Sequence, residues 1–265
     1  NLMWYSSVAV KYAKSDLDAE KIELSVKEDS RMASLQGVLT ERESQEILEE
    51  YDIPINKKML VQSSGEAVEA AKVIGFPLVM KIESPDIAHK SDAGGVKLNI
   101  QSFEEVKENY DNILDSVTKK HPDARIYGIS MEKMVEGGLE LIVGAKVDPI
   151  FGPTVLLGAG GVLVELLRDF STRLAPVNEK EAMNMIRETK ISKLLYGYRG
   201  KSAYDIKAVA NVLVSLSKLV YEQQNYIEEI EINPLLVLEE GKGCVAVDGL
   251  VVMKKKAEAE SKVTV

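Results

Sequence analysis

Two stretches of this chain hold side chains whose types and spacing could do chemistry. The first is VMKIESPDIAHKSDAGGVKL, residues 79–98, which puts Lys81 in the middle of an apolar strand. An ammonium group is costly to bury without a partner, so Lys81 either reaches water from an edge strand or meets an anion. The polar loop that follows, from Glu83 to Gly95, is far longer than a hairpin needs, and it carries His89, one of only 2 histidines in the chain. Neutral imidazole is a nucleophile near pH 7 and holds a phosphoryl group as a phosphoramidate when a partner orients its other ring nitrogen. Gly94 and Gly95 would permit a backbone change at the end of this loop. A loop histidine without that task is merely solvated, which is the reading for His121, at the polar end of a helix before Pro122.

The second stretch is EIEINPLLVLEEGKGCVAVDGLVV, near the carboxyl end. Glu231 and Asn233 are two apart on one strand and therefore share a face, and Asp248 is expected on the next strand. Carboxylate and amide oxygens converging in this way suit a magnesium ion on nucleotide phosphates, because that ion takes few protein oxygens and keeps waters. The plainer alternative is a polar sheet face. The glycine-rich GAGG at Gly158 to Gly161 lacks the Lys-Ser/Thr ending of a phosphate-binding loop and reads as a turn between strands. Arg173 and Arg199 are either phosphate or partner contacts, or solvated surface.

The elements that must position these groups are legible as alternating patterns. Thr40 and Glu43 form a capping box that predicts a helix to about Tyr51, stopped by Ile53-Pro54. A strand from Lys58 to Val61, a helix over AVEAAKVI closed by Gly75 and Pro77, and a strand from Leu78 to Ile82 read as a β-α-β unit. After the polar loop come a strand from Val96 to Ile100 and a helix opened by Ser102 with Glu105, ending near Lys120. Strands are then expected from Arg125 to Met134, Leu139 to Val147, Thr154 to Leu157, Val162 to Leu166 and Arg173 to Val177. A helix opens at Asn178 with Glu181, and an amphipathic one covers Asp205 to about Gln223. Closing strands run from Ile227 to Leu238 and from Val245 to Met253. The expected organisation is an α/β (α+β) chain: a leader at 1–33 that is a linker or docking arm, a first lobe at 34–124, a strand-rich second lobe at 125–254, and a tail at 255–265.

Composition removes several function classes. With 42 acidic against 33 basic residues and a net charge of −9, the chain has no basic field for a nucleic-acid partner. Its longest nearly apolar run, Val155 to Leu167, is about 13 residues against the ~20 that span a bilayer, and Glu165 interrupts it. A membrane span is not expected, and the amino terminus lacks the form of a secretory signal. A single cysteine, Cys244, cannot form an internal disulfide, which fits a reducing cytoplasm.

Four segments in this order, SPDIAHKSDAGGV, ELIVGAKVDPIFGPTVLLGAGGVLVELLRDFSTRLAP, LLYGYRG and EIEINPLLV, resemble the ATP-grasp beta part of the ADP-forming acetate-CoA ligases, within the nucleoside-diphosphate-forming acyl-CoA synthetases. The resemblance covers about Leu35 to Met253. It implies two ATP-grasp lobes that clamp ATP or ADP, with Lys81 reaching the phosphates and His89 accepting a phosphoryl group from a phosphohistidine on a CoA-binding alpha part. It implies an inter-lobe hinge at Glu132 to Val135, with main-chain groups of Met134 and Val135 at the adenine edge and Glu140 at the ribose. Asn233 and Asp248 match the magnesium pair. Glu231 is similar to the acid that orients a phosphohistidine, although contact with the metal is equally open. No glycine fingerprint of a CoA-binding domain is present, so the alpha part is expected as a separate subunit, in an α2β2 heterotetramer, or as a fused segment. Two other readings are a succinyl-CoA-synthetase-like beta subunit, which has no need of His89, and a non-catalytic nucleotide-binding module, which should have lost either the histidine or the metal residues.

Overall fold

The computed structural model describes residues 24–87, 90–161, 169–200 and 202–255. Contacts divide the chain into two units, Asn56–Glu136 on one side and Asn1–Ile55 with Gly137–Val265 on the other.

In the smaller unit, strands β2 (Lys58–Val61), β3 (Leu78–Glu83), β4 (Val96–Ile100) and β5 (Gly128–Lys133) form an antiparallel sheet in the order β2-β5-β3-β4. Helix α2 (Ser64–Ile74) begins where Ser63 accepts the Glu66 amide at 3.2 Å and ends at Gly75, whose φ of 75° favours glycine. Helix α3 (Phe103–Lys120) is capped by Ser102 and carries Glu104 and Glu105 in its first turn and Lys119 and Lys120 in its last, matching the helix dipole at both ends. Its buried Val106, Tyr110, Ile113 and Val117 recur at helical spacing and pack with Leu78, Met80, Ile82, Ile129 and Met131 from one sheet face. Each fully buried aliphatic side chain contributes about 1.5–3 kcal/mol. The opposite sheet face carries Lys58, Lys81, Ser130 and Glu132, because side chains alternate along each strand.

In the larger unit, β1 (Gly37–Val38), β6 (Leu139–Asp148), β7 (Gly152–Ala159), β8 (Phe170–Leu174), β9 (Ile227–Val237), β10 (Cys244–Ala246) and β11 (Gly249–Met253) form one sheet. Its order is β1-β11-β9-β6-β7-β8, with β10 paired to β9. Helices α1 (Glu41–Glu50), α4 (Glu179–Glu188), α5 (Ser192–Leu195) and α6 (Ile206–Glu222) accompany it. Val209, Leu213, Leu216 and Val220 of α6 bury against Leu141, Val143, Val155, Leu157, Ile230 and Ile232. The alternate residues of the strands, Ile142, Gly144, Leu156, Glu229, Glu231 and Asn233, face the other way. Among the described residues no helix is long and apolar enough to cross a membrane.

The structure departs from the expected lobes in two places. Strand β5 was assigned to a second lobe starting at 125, yet it lies inside the small sheet between β2 and β3. What was read as a simple β-α-β unit is therefore split by β5. The capping box of α1 is present as expected, but the helix belongs to the larger unit: Ile47 and Leu48 are buried there, and Ser44 Oγ accepts the Val251 amide of β11 at 3.1 Å. Capping chemistry is local and says where a helix starts, whereas the surface that covers it is set by partners far away in sequence. The last expected strand is also interrupted, with Asp248 in the break between β10 and β11, and β8 ends at Leu174 rather than Val177. The expected strand from Val162 to Leu166 lies outside the described residues. Of the leader, the part after residue 23 is described, and it is docked. The Lys27 amide donates to Glu222 O at 2.8 Å and Met32 is buried.

Candidate nucleotide and metal site

On the helix-free face of the small sheet, three charged side chains meet. Lys81 on β3 places its Nζ 2.5 Å from Glu132 Oε1 on β5, and Lys58 on β2 places its Nζ 3.6 Å from Glu132 Oε2. Register explains the meeting: Glu132 is the partner of Lys58 on one side and of Val79 on the other, so Lys81 lies one pleat away on the same face. The Asn56 amide adds a 3.2 Å bond to Glu132 Oε2 and a 2.8 Å bond to Lys133 O. Glu132 is 1% exposed, and a carboxylate there without cations would cost several kcal/mol. Both lysines are held by this one acid, which orients their ammonium groups.

Lys58 was missed from sequence, although it opens an apolar strand much as Lys81 interrupts one. Glu132 was expected at the adenine hinge, and its side chain instead bridges the two lysines. The Met134 amide donates to Pro77 O at 3.0 Å, so that donor is committed within its own unit, and Val135 follows it near the end of the unit.

On the larger unit, Asn233 and Asp248 come together. The Asn233 amide donates to Asp248 O at 3.1 Å, one step beyond the Ile232–Gly249 pair, so the two residues stand opposite each other across β9 and its neighbour. The Asn233 Nδ2 donates to Glu231 Oε1 at 3.3 Å. That bond fixes which end of the amide is which: Nδ2 turns to Glu231 and Oδ1 is the oxygen offered elsewhere. Among the described residues no group of three or more His, Cys, Asp or Glu is arranged to hold a metal. One carboxylate and one amide oxygen still fit magnesium, which keeps most of its shell as water and phosphate oxygen.

Glu229, on the same face as Glu231, was also missed. Burial pushes its carboxyl above the ordinary value, the nearby charge of Glu231 adds to this, and Lys146, with Nζ 3.9 Å away, works against it. Glu140 is exposed at the start of β6, and its carbonyl accepts the Gly160 amide at 2.9 Å. A Cβ at Gly160 would lie 2.7 Å from the Leu141 backbone and one at Gly161 would collide with the Glu140 carboxylate. These glycines let the chain approach β6 closely.

Arg173 is committed elsewhere. Its guanidinium pairs with Glu181 at 3.1 Å and Glu188 at 2.5 Å, which ties β8 to α4 and leaves it 9% exposed. Arg199 instead lies over the Tyr198 ring, 5.3 Å from its centre. Cys244 is buried, which pushes its thiol up to about 12 and makes it a poor nucleophile.

His89 lies outside the described residues, but both shoulders of its loop are described. Before it, Asp86 accepts from the Arg125 amide at 2.8 Å and from Nε and Nη2 of the same residue at 2.9 and 2.7 Å. After it, Lys120 Nζ donates to Asp92 O at 2.7 Å, and the Gly95 amide donates to Lys90 O at 2.8 Å. Ile87 and Ala93 are buried in the small unit's core.

The sequence pattern of the ATP-grasp domain family matches residues 30–253. The chain is 44% identical over 238 residues to the ADP-forming 4-hydroxybutyrate-CoA ligase of Nitrosopumilus maritimus, covering 90% of this chain and 33% of that one. It is 39% identical over 223 residues to the beta subunit of ADP-forming acetate-CoA ligase II of Pyrococcus furiosus, covering 84% of this chain and 94% of the subunit. It thus spans about a third of the one and nearly all of the other. Among solved structures, the dinucleotide-forming acetyl-coenzyme A synthetase 1 of Ca. Korarchaeum cryptofilum, with coenzyme A, acetyl-coenzyme A and a phosphorylated phosphohistidine segment, superposes with a TM-score of 0.75 at 40% identity, covering 82% of this chain and 94% of that one. The same enzyme with coenzyme A and Mg-AMPPCP, its phosphohistidine segment pointing towards the nucleotide site, gives 0.72 at 38% identity, covering 82% and 93%.

Proposed function

Because this chain belongs to the ATP-grasp family, in the branch formed by the beta subunits of ADP-forming acetate-CoA ligases, we propose that it is the nucleotide-binding part of an ADP-forming acyl-CoA synthetase. The reaction is acyl-CoA + phosphate + ADP = acid + CoA + ATP. Phosphate displaces CoA from the acyl group, and the acyl phosphate then gives its phosphoryl group to a histidine on a CoA-binding alpha part, releasing the acid. His89 takes the group through a ring nitrogen, freeing the first imidazole, and yields it to the terminal phosphate oxygen of ADP. Each transfer breaks one P–N or P–O bond and forms another, so no oxidant or further reactant is required.

This chain's residues have separate tasks in that scheme. Lys81 and Lys58 hold nucleotide phosphate oxygens, with Glu132 keeping both lysines in place. Glu231 orients the phosphohistidine ring through the oxygen that Asn233 does not use. The main chain of Val135, after Met134, meets the adenine, and Glu140 meets the ribose. Asn233 and Asp248 would hold a magnesium ion, which would supply countercharge for the phosphates. The alpha part is a separate or fused partner, with an α2β2 assembly in the separate case, and the reaction is cytoplasmic, which suits a chain whose one thiol is buried.

The observation that carries this reading is the placement of Asn233 opposite Asp248 with its amide turned to Glu231. The test is to incubate the chain with Mg-ATP labelled at the γ-phosphate. Acid-labile, alkali-stable label is expected in the wild type and none in His89→Ala, with nucleotide binding kept. Label that survives acid, or that persists in His89→Ala, overturns the assignment of the carrier. Without a partner the chain should make no acyl-CoA, and formation of that product by the chain alone would refute the division of labour.

A further inference from the structure

Strand β5 alternates between two environments. Ile129 and Met131 lie in the apolar core of the small unit, so Ser130 and Glu132, which follow each of them, face the helix-free side. Ser130 is 6% exposed and stands opposite Lys81 on β3 and Leu60 on β2. Side chains directly opposite are about 5 Å apart at Cβ, which sets the serine beside the stem of Lys81. The Lys81 ammonium itself leans one pleat along, to Glu132.

The two polar residues that β5 turns to this side differ in how they are held. Glu132 is bonded by Lys81, Lys58 and Asn56, whereas no hydrogen bond reaches the Ser130 hydroxyl among the described residues. Among those residues Gln223 Oε1, in the larger unit, is the one fully enclosed side-chain oxygen or nitrogen without a partner. The Ser130 oxygen is therefore not sealed in. It ends at a small opening on the helix-free face. A hydroxyl that has lost most of its water and gained no partner costs about 1–3 kcal/mol, so alanine would serve the fold better at this position.

An arriving atom recovers that cost only by bonding the hydroxyl. An ammonium group can donate and never accept, and a hydroxyl donates through its one O–H. Both Glu132 oxygens are already taken, Oε1 by Lys81 and Oε2 by Lys58 and Asn56. What Lys81 and Ser130 offer together on neighbouring strands is thus a pair of donors, which suits an acceptor-only oxygen such as that of a phosphate.

We propose that Ser130 is a further nucleotide-binding residue, whose hydroxyl donates to a phosphate oxygen of the nucleoside diphosphate that Lys81 holds. The inference rests on the nucleotide reading of this face given above. Lysine supplies charge on a flexible stem, and serine adds a short, directional bond from a rigid strand, which fixes where one phosphate oxygen stands.

The test is calorimetric titration of the wild-type chain and its variants with ADP, with melting temperatures taken without nucleotide. Ser130→Ala is expected to weaken ADP binding about tenfold, as for one hydrogen bond to a charged group. Its melting temperature without nucleotide should stay at or above the wild-type value, because an unpartnered polar group has been removed. Ser130→Thr, which keeps the hydroxyl, should bind ADP more tightly than Ser130→Val, which has the same shape without it. The 31P resonances of bound ADP should differ between wild type and Ser130→Ala. Equal ADP affinity in wild type and Ser130→Ala would overturn the proposal, and so would a lowered melting temperature without nucleotide, which would make the serine part of the fold. Weaker binding with unchanged 31P resonances would place the hydroxyl on the nucleoside and overturn it too. If the wild-type chain binds no ADP, the nucleotide reading of the face fails with it, whereas a wild type that binds ADP no better than Ser130→Ala removes only the serine.

Discussion

The helix-free faces of the two sheets handle charge in opposite ways. On the small sheet two cations, Lys58 and Lys81, surround one acid, Glu132, which is nearly inaccessible to water. On the large sheet the acids dominate: Glu229 and Glu231 lie on one strand with Asn233 and Asp248 beyond them, and Lys146 is the cation paired with Glu229. On the small face Glu132 holds both lysines, so their ammonium groups are already oriented. On the large face Glu229 and Glu231 share one strand, and burial with the charge of Glu231 raises the Glu229 carboxyl against the pull of Lys146.

The largest expected effect breaks the small face. Glu132→Ala leaves two half-buried lysines without their acid and should lower stability by about 3–5 kcal/mol, read by urea unfolding. If it costs under about 1 kcal/mol, the acid is not what holds the lysines. Next comes the large face: Asp248→Ala should lower nucleotide-linked turnover by about 10²-fold or more with the fold unaffected, because Asp248 is exposed in the break between β10 and β11. Turnover close to wild type would remove Asp248 from the site.

Lys81→Ala should be milder for the fold, at about 1–3 kcal/mol, since Glu132 retains Lys58 and Asn56. Its signature is weaker ADP binding, about tenfold by calorimetry. The smallest effect concerns Glu229, whose folded carboxyl titrates above its ordinary value of 4.5. The folded state holds the proton more tightly than the unfolded one, so this group's contribution is present at low pH and is lost as pH rises through the folded value. Glu229→Gln should therefore melt at or above the wild-type temperature at pH 7, with the difference vanishing below about pH 4. A variant less stable at pH 7 would show that Lys146 outweighs burial there.

What could be read without coordinates was local or periodic. Thr40, Ser102 and Asn178 open helices as their caps require, because a cap is a bond to an amide three residues on. Glu231 and Asn233 share a face because strands have a period of two, and they are bonded to each other. Lys81 announced a need for an anion because ammonium is costly in an apolar strand, and that need was real.

The identity of the partner was the part that sequence could not supply. Lys81 meets Glu132, 51 residues on, because β5 inserts between β2 and β3, and strand order is decided by which apolar faces bury together. The same order moved β5 out of the lobe expected for it and gave the Glu132 side chain two lysines to bridge. Gly94 and Gly95 read as freedom in the sequence and serve close packing in the structure, since glycine permits both and only the atoms beside it, Ile82 and Ser116, choose. By itself the sequence determined the elements, their caps, and the kinds of groups that share a face. Tertiary structure decided which strands are neighbours, and hence which charge answers which, because pairing depends on long-range burial that no local pattern encodes.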